Sequence, residues 1–296
     1  MRLRDTLLLL RMPYGINLMP VFFFAFTFAD YIDVEKFVQV FLAFFLLIAP
    51  ASYGYNSYMD ADITPVGGLR HPPKPTSELW WICMLFNAGG IGYVYFLDSV
   101  LGLLLAVYVA VSIGYSSKNI KLKKFPIIGA LLVIIFQGMY LYVMVFLFCQ
   151  KVDYLEALVQ VNLMIPAAIS SLLVAINLPL TQVYQHKVDA AKGEGSLSLL
   201  FGKRGTFEFV GLLYLIVLVW MGIFLVGSDQ SHLFYLFLCC LFPIFIFLIW
   251  WAKKLWADPS QATYRYTKIY LNVYVVSMFL YFLFVYLLKV IPEIPV

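Results

Sequence analysis

The stretch FVQVFLAFFLLIAPASYGYNSYMDAD, residues 37–62, carries no charged residue before Asp60. A membrane-spanning helix needs about 20 mostly apolar residues, and this stretch supplies them. It then ends in an amide and two carboxylates, Asn56, Asp60 and Asp62. Because carboxylates are costly at membrane depth, such a polar end indicates a functional site in an integral membrane protein.

The rest of the chain repeats this pattern of long apolar segments. Hydrophobic residues make up 63% and charged residues 12% of its 296 residues, whereas soluble domains are about 25% charged. The sequence predicts an all-α, multi-pass integral membrane protein, a single domain over residues 1–296 that folds as a bundle of nine transmembrane helices. The predicted segments are 14–31, 37–58, 79–97, 99–117, 126–149, 157–184, 209–227, 233–252 and 269–288.

The basic residues predict the orientation of this bundle. If the N-terminus is cytoplasmic, the inner loops and ends hold all of the 20 Lys and Arg residues except Lys36, Lys151 and Lys289. This asymmetry follows the positive-inside rule. We therefore expect a cytoplasmic N-terminus, and from the compact chain we expect a bacterial inner membrane.

A second polar cluster follows the sixth segment, where Gln182, Gln185 and Asp189 recur at spacings of three and four. Residues at these spacings share one face of a helix. Segments two and six cross the membrane in the same direction, so both clusters should meet on the cytoplasmic side. Converging carboxylates beside Lys and Arg suit Mg²⁺ on a diphosphate.

Two details of the loops are open from sequence. Asp62 would lie about 200° around a continuing helix from Asp60, so it joins Asp60 only if the chain leaves the helix. Gly67 and Gly68 favour that exit, while the alternative is a helix cap or a solvated residue. In the basic loop 118–124, the lysines either anchor the protein to lipid headgroups or contact phosphate, with Lys121 favoured for that contact.

Several function classes lack support in the sequence. It has no Gly-rich nucleotide loop, no nucleophile elbow and no Cys or His spacing typical of zinc sites. The cysteines lie within or at the ends of apolar segments. We expect the lipid bilayer as a partner, and we do not expect nucleic acid.

These motifs, in this order, resemble those of the UbiA superfamily of intramembrane prenyltransferases. The family's first motif, N-D-x-x-D-x-x-x-D followed by R-x-x-x-R-P, is similar to Asn56, Asp60, Arg70, Lys74 and Pro75. Its second motif is similar to Asp189, Gly193, Ser196, Leu197 and Gly202. A segment between them, with a Tyr-Ser pair and a later Leu-Lys pair, resembles Tyr115 and Ser116 with Lys121 and Lys123.

Three positions depart from the family's motifs. Ser57, Thr64 and Gln185 stand where the family usually has aspartates. Amides and hydroxyls can also coordinate Mg²⁺, so metal binding is still expected, with Asp62 and Glu194 as possible additional ligands. The loss at position 185 removes a carboxylate base, for which His186 is an alternative.

The resemblance implies a Mg²⁺-dependent enzyme that ionises a polyprenyl diphosphate and alkylates a lipophilic acceptor, releasing pyrophosphate. The acceptor would be an aromatic compound, a quinone precursor or a polyene. The implied catalytic residues are Asn56, Asp60 and Asp189, and these with Asp62 are the implied Mg²⁺ ligands. The implied diphosphate-binding residues are Arg70, Lys74, Lys121 and Gln185.

Two other readings are open. In a terpene cyclase, also known in this superfamily, the allylic cation attacks its own double bonds, and Gln185 in place of an acid favours a reaction with no acceptor to deprotonate. The aromatic content of 18% suits either fate, because ring faces attract cations. The third reading is a transporter or lipid binder, in which proline-broken helices also occur.

Overall fold

The computed structural model describes residues 3–29, 33–120, 122–149, 154, 156 and 161–290. Within those ranges the regular structure is helical, apart from one isolated bridge between Val66 and Leu69. Nine spans in them are long and apolar enough to cross a membrane. This confirms the predicted all-α membrane bundle, while the cytoplasmic N-terminus and the single-domain extent stay predictions.

The nine spans, numbered here in chain order, follow the predicted segments closely in the middle of the chain and less closely at its ends. They are Arg4–Phe28, Val34–Asp60, Ser77–Leu97, Ser99–Ser116, Pro126–Cys149, Leu163–Gln182, Leu197–Val226, Ser231–Ala257 and Tyr264–Lys289. The first and seventh begin well before the predicted residues 14 and 209. The sixth lies in a helix over Val161–Gln182 and the ninth in one over Tyr264–Val290.

Three spans are built from more than one kind of helix. The first comprises helices Leu3–Leu9 and Met19–Phe28 around a 3-10 helix, Met12–Leu18. The second has a π-helical turn, Phe44–Ile48, between Val34–Ala43 and Ala49–Asp60. The fifth has another, Ile135–Tyr140, between Pro126–Ile134 and Leu141–Cys149. Short helices also occur at Leu122–Lys124, His186–Lys192 and Pro259–Gln261.

Further irregularities of the backbone occur in the first and sixth spans. Arg11 adopts a left-handed conformation (φ 48°, ψ 37°) directly before the 3-10 helix that contains Pro13. Pro166 and Pro179 lie inside the sixth span. Since π-turns and 3-10 stretches within helices frequently mark functional sites, they direct attention to the region between the first, second, fifth and sixth spans.

Aromatic side chains form much of the core. Phe22, Phe24 and Phe44 are almost fully buried, and the Phe22 and Phe44 ring centroids lie 4.8 Å apart. Apolar residues also face outward: Phe96 is 87% exposed and Leu85 69%. Broad exposed apolar surfaces of this kind are expected where a bundle contacts lipid tails.

Candidate active site

The two polar clusters meet at one end of the bundle, around a cavity of about 300 Å³, called the first cavity below. Its wall includes the predicted residues Asn56, Asp60, Asp62, Gln185 and Asp189. They come from the end of the second span and from the segment that follows the sixth. The predicted convergence of the two clusters is therefore confirmed as geometry, and the chemical roles of these residues stay predictions.

Asp62 joins this cavity because the second span ends at Asp60. Ala61 adopts a left-handed conformation (φ 46°, ψ 44°), and its N–H donates to the Ser57 carbonyl. A left-handed residue after the last helical turn reverses the chain direction locally. Asp62 thereby faces the cavity, where its Oδ1 lies 2.5 Å from Lys192 Nζ.

Asn56 is fixed by two hydrogen bonds. Its Nδ2 donates to Asp60 Oδ2 at 3.0 Å and to Ser116 Oγ at 3.0 Å. Both amide hydrogens are thereby engaged, so the carbonyl oxygen is the atom that remains for a ligand. The link to Ser116 also ties the second span to the end of the fourth.

Among the described residues, the cation that pairs with Asp60 is Lys123. Lys123 Nζ forms an ion pair with Asp60 Oδ1 and lies 3.8 Å from Glu194 Oε1. The side chains of Lys123 and Asp60 are only 9% and 13% exposed. Lys121 lies outside the described residues, so its predicted phosphate contact stays a prediction. The signal for Lys123 was its place in the Tyr115–Ser116 motif.

Arg11 is a site residue that the sequence reasoning missed. It is 5% exposed, lines the first cavity, and its Nε and Nη2 have no hydrogen-bond partner in the structure. A Cβ added to Gly67 would lie 2.4 Å from Arg11 Nη1, and Gly67 has a φ of 42°. A buried guanidinium with unpaired donors is costly unless an anion supplies acceptors. Arg11 is therefore suited to bind an anionic group in the cavity.

The three positions that depart from the family motifs fall into two groups. Thr64 and Gln185 line the first cavity, and Gln185 Nε2 donates to the Tyr184 hydroxyl at 3.2 Å. Ser57 is absent from the cavity wall and 2% exposed, with its Oγ 3.1 Å from the Leu9 carbonyl and 2.9 Å from that of Tyr53. Position 57 thus fastens the first span to the second.

Two predicted diphosphate ligands lie apart from the cavity. Arg70 and Lys74 are exposed and are not among the described residues that line it. The loop that carries Arg70 folds back on itself through mutual backbone hydrogen bonds between Val66 and Leu69. Phosphate contact by Arg70 and Lys74 stays a prediction.

His186, the alternative base, is likewise not among the described residues that line the first cavity. Its Nε2 lies 2.8 Å from Ser198 Oγ, which lies 2.8 Å from Thr206 Oγ1. Burial, with a smaller effect of Lys203, lowers the pKa of His186 below its usual value. The His186 imidazole, through these hydroxyls, couples the short helix His186–Lys192 to the seventh span.

The electrostatics of Asp189 differ from those of an exposed aspartate. Burial raises the pKa of its carboxyl, and the charge of Glu194 adds to that increase. A hydrogen bond with Ser196 partly offsets it by stabilising the ionised form. A carboxylate at this position consequently gains more than an exposed one from a nearby cation.

The deeper wall of the first cavity is apolar and aromatic. It includes Leu18, Val21, Val174 and Leu271, together with Tyr53 and Tyr274. Asn177 also lines this region, and its Oδ1 accepts a hydrogen bond of 2.8 Å from Tyr270. The cavity therefore has a charged mouth and a largely apolar interior.

The oxygen donors at the mouth fit Mg²⁺ in a limited way. Within the described part of the chain, no three Asp, Glu, His or Cys side chains converge closely enough to hold an ion alone. Mg²⁺ is usually held by one or two carboxylates plus substrate phosphates, not by an all-protein cage. Asp60 and Asp189, with the Asn56 carbonyl, fit that mode when a diphosphate supplies the other oxygens.

Comparison with solved structures supports the same architecture. The chain is similar to a UbiA homologue from Aeropyrum pernix K1, at 16% identity and a TM-score of 0.68 over 92% of this chain and 98% of that one. It is also similar to a UbiA homologue from Archaeoglobus fulgidus bound to GPP and Mg²⁺, at 15% identity and a TM-score of 0.66 over 95% and 99% of the two chains. At these identities the likeness is one of fold.

A third structural likeness is to a digeranylgeranylglyceryl phosphate synthase, at 14% identity and a TM-score of 0.60 over 96% of this chain and 98% of that one. No curated protein matches the sequence. The family model of the UbiA prenyltransferase family matches residues 17–283. Because that match extends over most of the chain, the protein belongs to the UbiA prenyltransferase family.

Proposed function

We propose that the protein is a Mg²⁺-dependent intramembrane prenyltransferase that ionises a polyprenyl diphosphate and alkylates a lipophilic acceptor. The observation that carries this proposal is the first cavity, where carboxylates and buried cations surround one end of an apolar, aromatic interior. The diphosphate would lie at the charged mouth and the isoprenoid tail among the apolar side chains. A UbiA homologue bound to GPP and Mg²⁺ is known, which supports this class of substrate.

Arg11 and Lys123 are the side chains best suited to bind the diphosphate. Arg11 brings unpartnered guanidinium donors into the cavity, and Lys123 is already at the Asp60 carboxylate. Preorganised cations in a site of low dielectric stabilise charge that develops on a leaving group.

Asn56, Asp60 and Asp189 would hold Mg²⁺, with Asp62 beside them. When bound, the ion would neutralise part of the charge of the diphosphate.

The proposed reaction balances without a further cofactor. The bond between the allylic carbon and the diphosphate oxygen breaks, and its electron pair leaves with pyrophosphate. The π electrons of the acceptor form the new carbon–carbon bond, and the acceptor then loses a proton to the departing pyrophosphate, which restores its π system. Tyr53 and Tyr274 line the cavity, and their rings would stabilise the transient allylic cation.

One observation favours a terpene cyclase as the second candidate. Gln185 occupies the cavity wall where a carboxylate base would otherwise lie. A cyclase needs no base for an external acceptor, since a double bond of the same isoprenoid attacks the cation, and the new carbocation then loses a proton or captures water. Both candidates release pyrophosphate, and a lipid binder or transporter would release none.

We also propose that the charged mouth faces the cytoplasm of a bacterial inner membrane. Nearly all Lys and Arg residues belong to loops and ends on the side of the membrane that carries this mouth, as the positive-inside rule requires of a cytoplasmic face. Labelling of Cys substitutions in intact cells checks the orientation. Residue 265, at the start of the ninth span, should be protected from an impermeant thiol reagent, and residue 229 should be labelled.

The first test uses detergent-purified protein with Mg²⁺ and farnesyl or geranylgeranyl diphosphate, with and without an acceptor. Pyrophosphate release only with acceptor, and a prenylated product, supports the transferase. Pyrophosphate with a cyclic hydrocarbon or alcohol and no acceptor supports the cyclase. Asp189→Asn should remove the release, whereas the exposed Asp229→Asn is the matched control. Release that survives Asp189→Asn contradicts the site assignment.

A further inference from the structure

The first cavity ends inside the bundle at the same depth on two of the spans that line it. On the second span its wall extends from Asp60 to Ser52, and on the sixth span from Gln182 to Val174. Each interval is eight residues of helix at a rise of about 1.5 Å per residue, so the cavity reaches about 12 Å below its charged mouth. A tail that enters from the mouth therefore meets an end wall within the membrane, whose apolar core is about 30 Å thick.

A closed layer of side chains, called the floor below, lies beneath this end wall. Six spans have described residues that line the cavity, namely the first, second, fourth, fifth, sixth and ninth. On each of them, the residue about one helical turn beyond the deepest lining residue is at most 4% exposed and does not itself line the cavity. These floor residues are Phe24, Ile48, Tyr108, Leu141, Ser170 and Met278.

Aromatic rings support the floor from below. The centroid of the Phe24 ring lies 5.3 Å from that of Tyr142 and 5.2 Å from that of Phe282. The three residues come from the first, fifth and ninth spans and are at most 2% exposed. Inserting additional carbon atoms into a packed core is destabilising. A longer tail would therefore be stopped by these rings and would not displace them.

The depth of the cavity limits the length of an isoprenoid tail. An isoprene unit adds four carbon–carbon bonds of about 1.5 Å to the chain, which extend it by about 5 Å. Three extended units span about 15 Å and fit the depth with one bend, whereas four span about 20 Å. Lipid tails are as apolar as the cavity wall, so a fourth unit gains little by leaving the lipid. The packing cost at the floor is therefore not offset by the burial of that unit.

We propose that the floor determines which prenyl diphosphates the protein takes: donors of up to three isoprene units bind, and donors of four or more are excluded. Phe24 is the main determinant, because its ring is held in place by Tyr142 and Phe282. Met278 closes the same floor from the ninth span. The inference rests on the proposed prenyl transfer, and it narrows the class of donor from polyprenyl diphosphates in general to short ones.

The test measures direct binding of geranyl, farnesyl and geranylgeranyl thiodiphosphate, each with Mg²⁺, to the detergent-purified protein. The wild type should bind the first two with Kd values within about threefold of each other, because added apolar length gains little. It should bind geranylgeranyl thiodiphosphate at least about tenfold more weakly, the effect of overpacking at the floor. Each probe also partitions into the detergent micelle, but equally for every variant. Changes in the ratio of two Kd values between variants therefore report the protein alone.

Phe24→Ala should open the floor. The Kd for geranylgeranyl thiodiphosphate should then approach that for farnesyl thiodiphosphate, a change of about tenfold in their ratio. Met278→Ala should change the ratio in the same direction, and it tests the proposal independently if Phe24→Ala does not fold. Phe237→Ala is the matched control. Phe237 is as buried as Phe24, but it belongs to the eighth span, of which no described residue lines the cavity.

Val174→Phe should move the length limit in the opposite direction. Val174 is the deepest residue of the sixth span on the cavity wall, so a ring there removes the space for the third isoprene unit. Binding of farnesyl thiodiphosphate should weaken at least about tenfold more than binding of geranyl thiodiphosphate. Val219→Phe, on an exposed face of the seventh span, is the matched control and should change neither affinity.

Two results overturn the inference. One is a wild type that binds geranylgeranyl thiodiphosphate as tightly as farnesyl thiodiphosphate, which would mean that the tail leaves the cavity sideways into the lipid. The other is a length limit that none of Phe24→Ala, Met278→Ala and Val174→Phe moves. Failure of the proposed function is a different result, namely no binding of any of the three probes and no pyrophosphate release by the wild type.

Discussion

Lys123 and Asp60 form an ion pair across the mouth of the first cavity, although 63 residues separate them in the sequence. Each side chain is largely withdrawn from solvent, so the pair is screened less than a surface pair. The Lys123 ammonium is therefore already paired with the carboxylate that is proposed to hold Mg²⁺. If Mg²⁺ and diphosphate bind as proposed, Lys123 would exchange the carboxylate for a phosphate oxygen.

This exchange predicts opposite effects of one substitution on metal binding and on turnover. Lys123→Met frees Asp60 from a competing cation, so Mn²⁺ binding without diphosphate, followed by electron paramagnetic resonance, should become tighter. Pyrophosphate release should fall about 10²-fold, because a cation that stabilises the leaving group is lost. Lys124→Met alters an exposed neighbour and should change neither quantity. If Lys123→Met weakened Mn²⁺ binding and also lowered pyrophosphate release, the role of the lysine would be only to support the fold.

The carboxylates of the mouth should differ in their importance. Asp60→Asn and Asp189→Asn should each reduce pyrophosphate release by at least about 10²-fold, because a ligand to the charge-neutralising ion is lost. Asp62→Asn is the informative comparison, since Asp62 is engaged by Lys192. Full activity in Asp62→Asn would assign it to that ion pair alone. Thermal unfolding in detergent should be little changed in all three variants.

Periodicity and topology were sufficient to predict which polar clusters meet. The four-residue spacing puts Asn56 beside Asp60, and the even number of crossings between segments two and six brings Asp189 to the same side. The exit from the helix that turns Asp62 inward was indicated by Gly67 and Gly68. These features depend on local sequence and on the count of spans, both of which are visible in the chain.

Other features depend on packing that the sequence does not show. Lys123, in the 3-10 helix Leu122–Lys124, pairs with Asp60, and spacing alone cannot single out this lysine of the basic loop. Arg11 was not among the predicted site residues, because the predicted first segment begins at residue 14, whereas the span starts at Arg4 and Arg11 has a left-handed conformation within it. The rotation of the second span, which turns Ser57 toward Leu9, is likewise a tertiary effect.

Restoring aspartates at the two departed positions of the first motif should have unequal consequences. Ser57→Asp would bury a carboxylate against the Leu9 and Tyr53 carbonyl oxygens, and an uncompensated buried charge costs about 3 kcal/mol or more. Thr64→Asp would add a carboxylate to the cavity wall, where cations are nearby. The thermal unfolding temperature in detergent should therefore fall clearly for Ser57→Asp and only slightly for Thr64→Asp. Equal unfolding temperatures would contradict the assigned burial of position 57.

The loss of ligand affinity at acid pH, called the acid limb below, should follow the protonation of Asp189. Since burial raises the pKa of this carboxyl, it takes up a proton at a higher pH than an ordinary aspartate, and the protonated form does not bind Mg²⁺. Affinity for farnesyl thiodiphosphate with Mg²⁺ should therefore weaken as the pH falls toward that raised pKa. A raised pKa also means that the folded protein binds this proton more tightly than the unfolded chain. Protonating Asp189 thus does not itself destabilise the fold.

Ser196→Ala provides the control for this assignment. The Ser196 hydrogen bond lowers the pKa of Asp189, so its removal should move the acid limb to higher pH. The protonation of the probe itself is common to both proteins, and the difference between them reports Asp189. The variant also loses a helix cap to Leu199, worth about 1 kcal/mol, so its fold is checked by thermal unfolding at each pH. If the acid limb of Ser196→Ala lay at the same pH as that of the wild type, the titration would belong to a group other than Asp189.

The buried charge of Arg11 should matter for ligand binding more than for the fold. Its Nε and Nη2 have no hydrogen-bond partner in the structure, so Arg11→Met removes a desolvated charge and should not lower the unfolding temperature. Affinity for farnesyl thiodiphosphate should fall about 10- to 100-fold, as expected when charge-assisted hydrogen bonds are lost. Gly67→Ala should act in the same direction, because its Cβ would meet Arg11 Nη1 at 2.4 Å. Gly68→Ala is the matched control, since its φ is also positive but its nearest contact is Tyr14 at 3.5 Å. Unchanged affinity in Arg11→Met, with the protein folded, would remove Arg11 from the proposed diphosphate site.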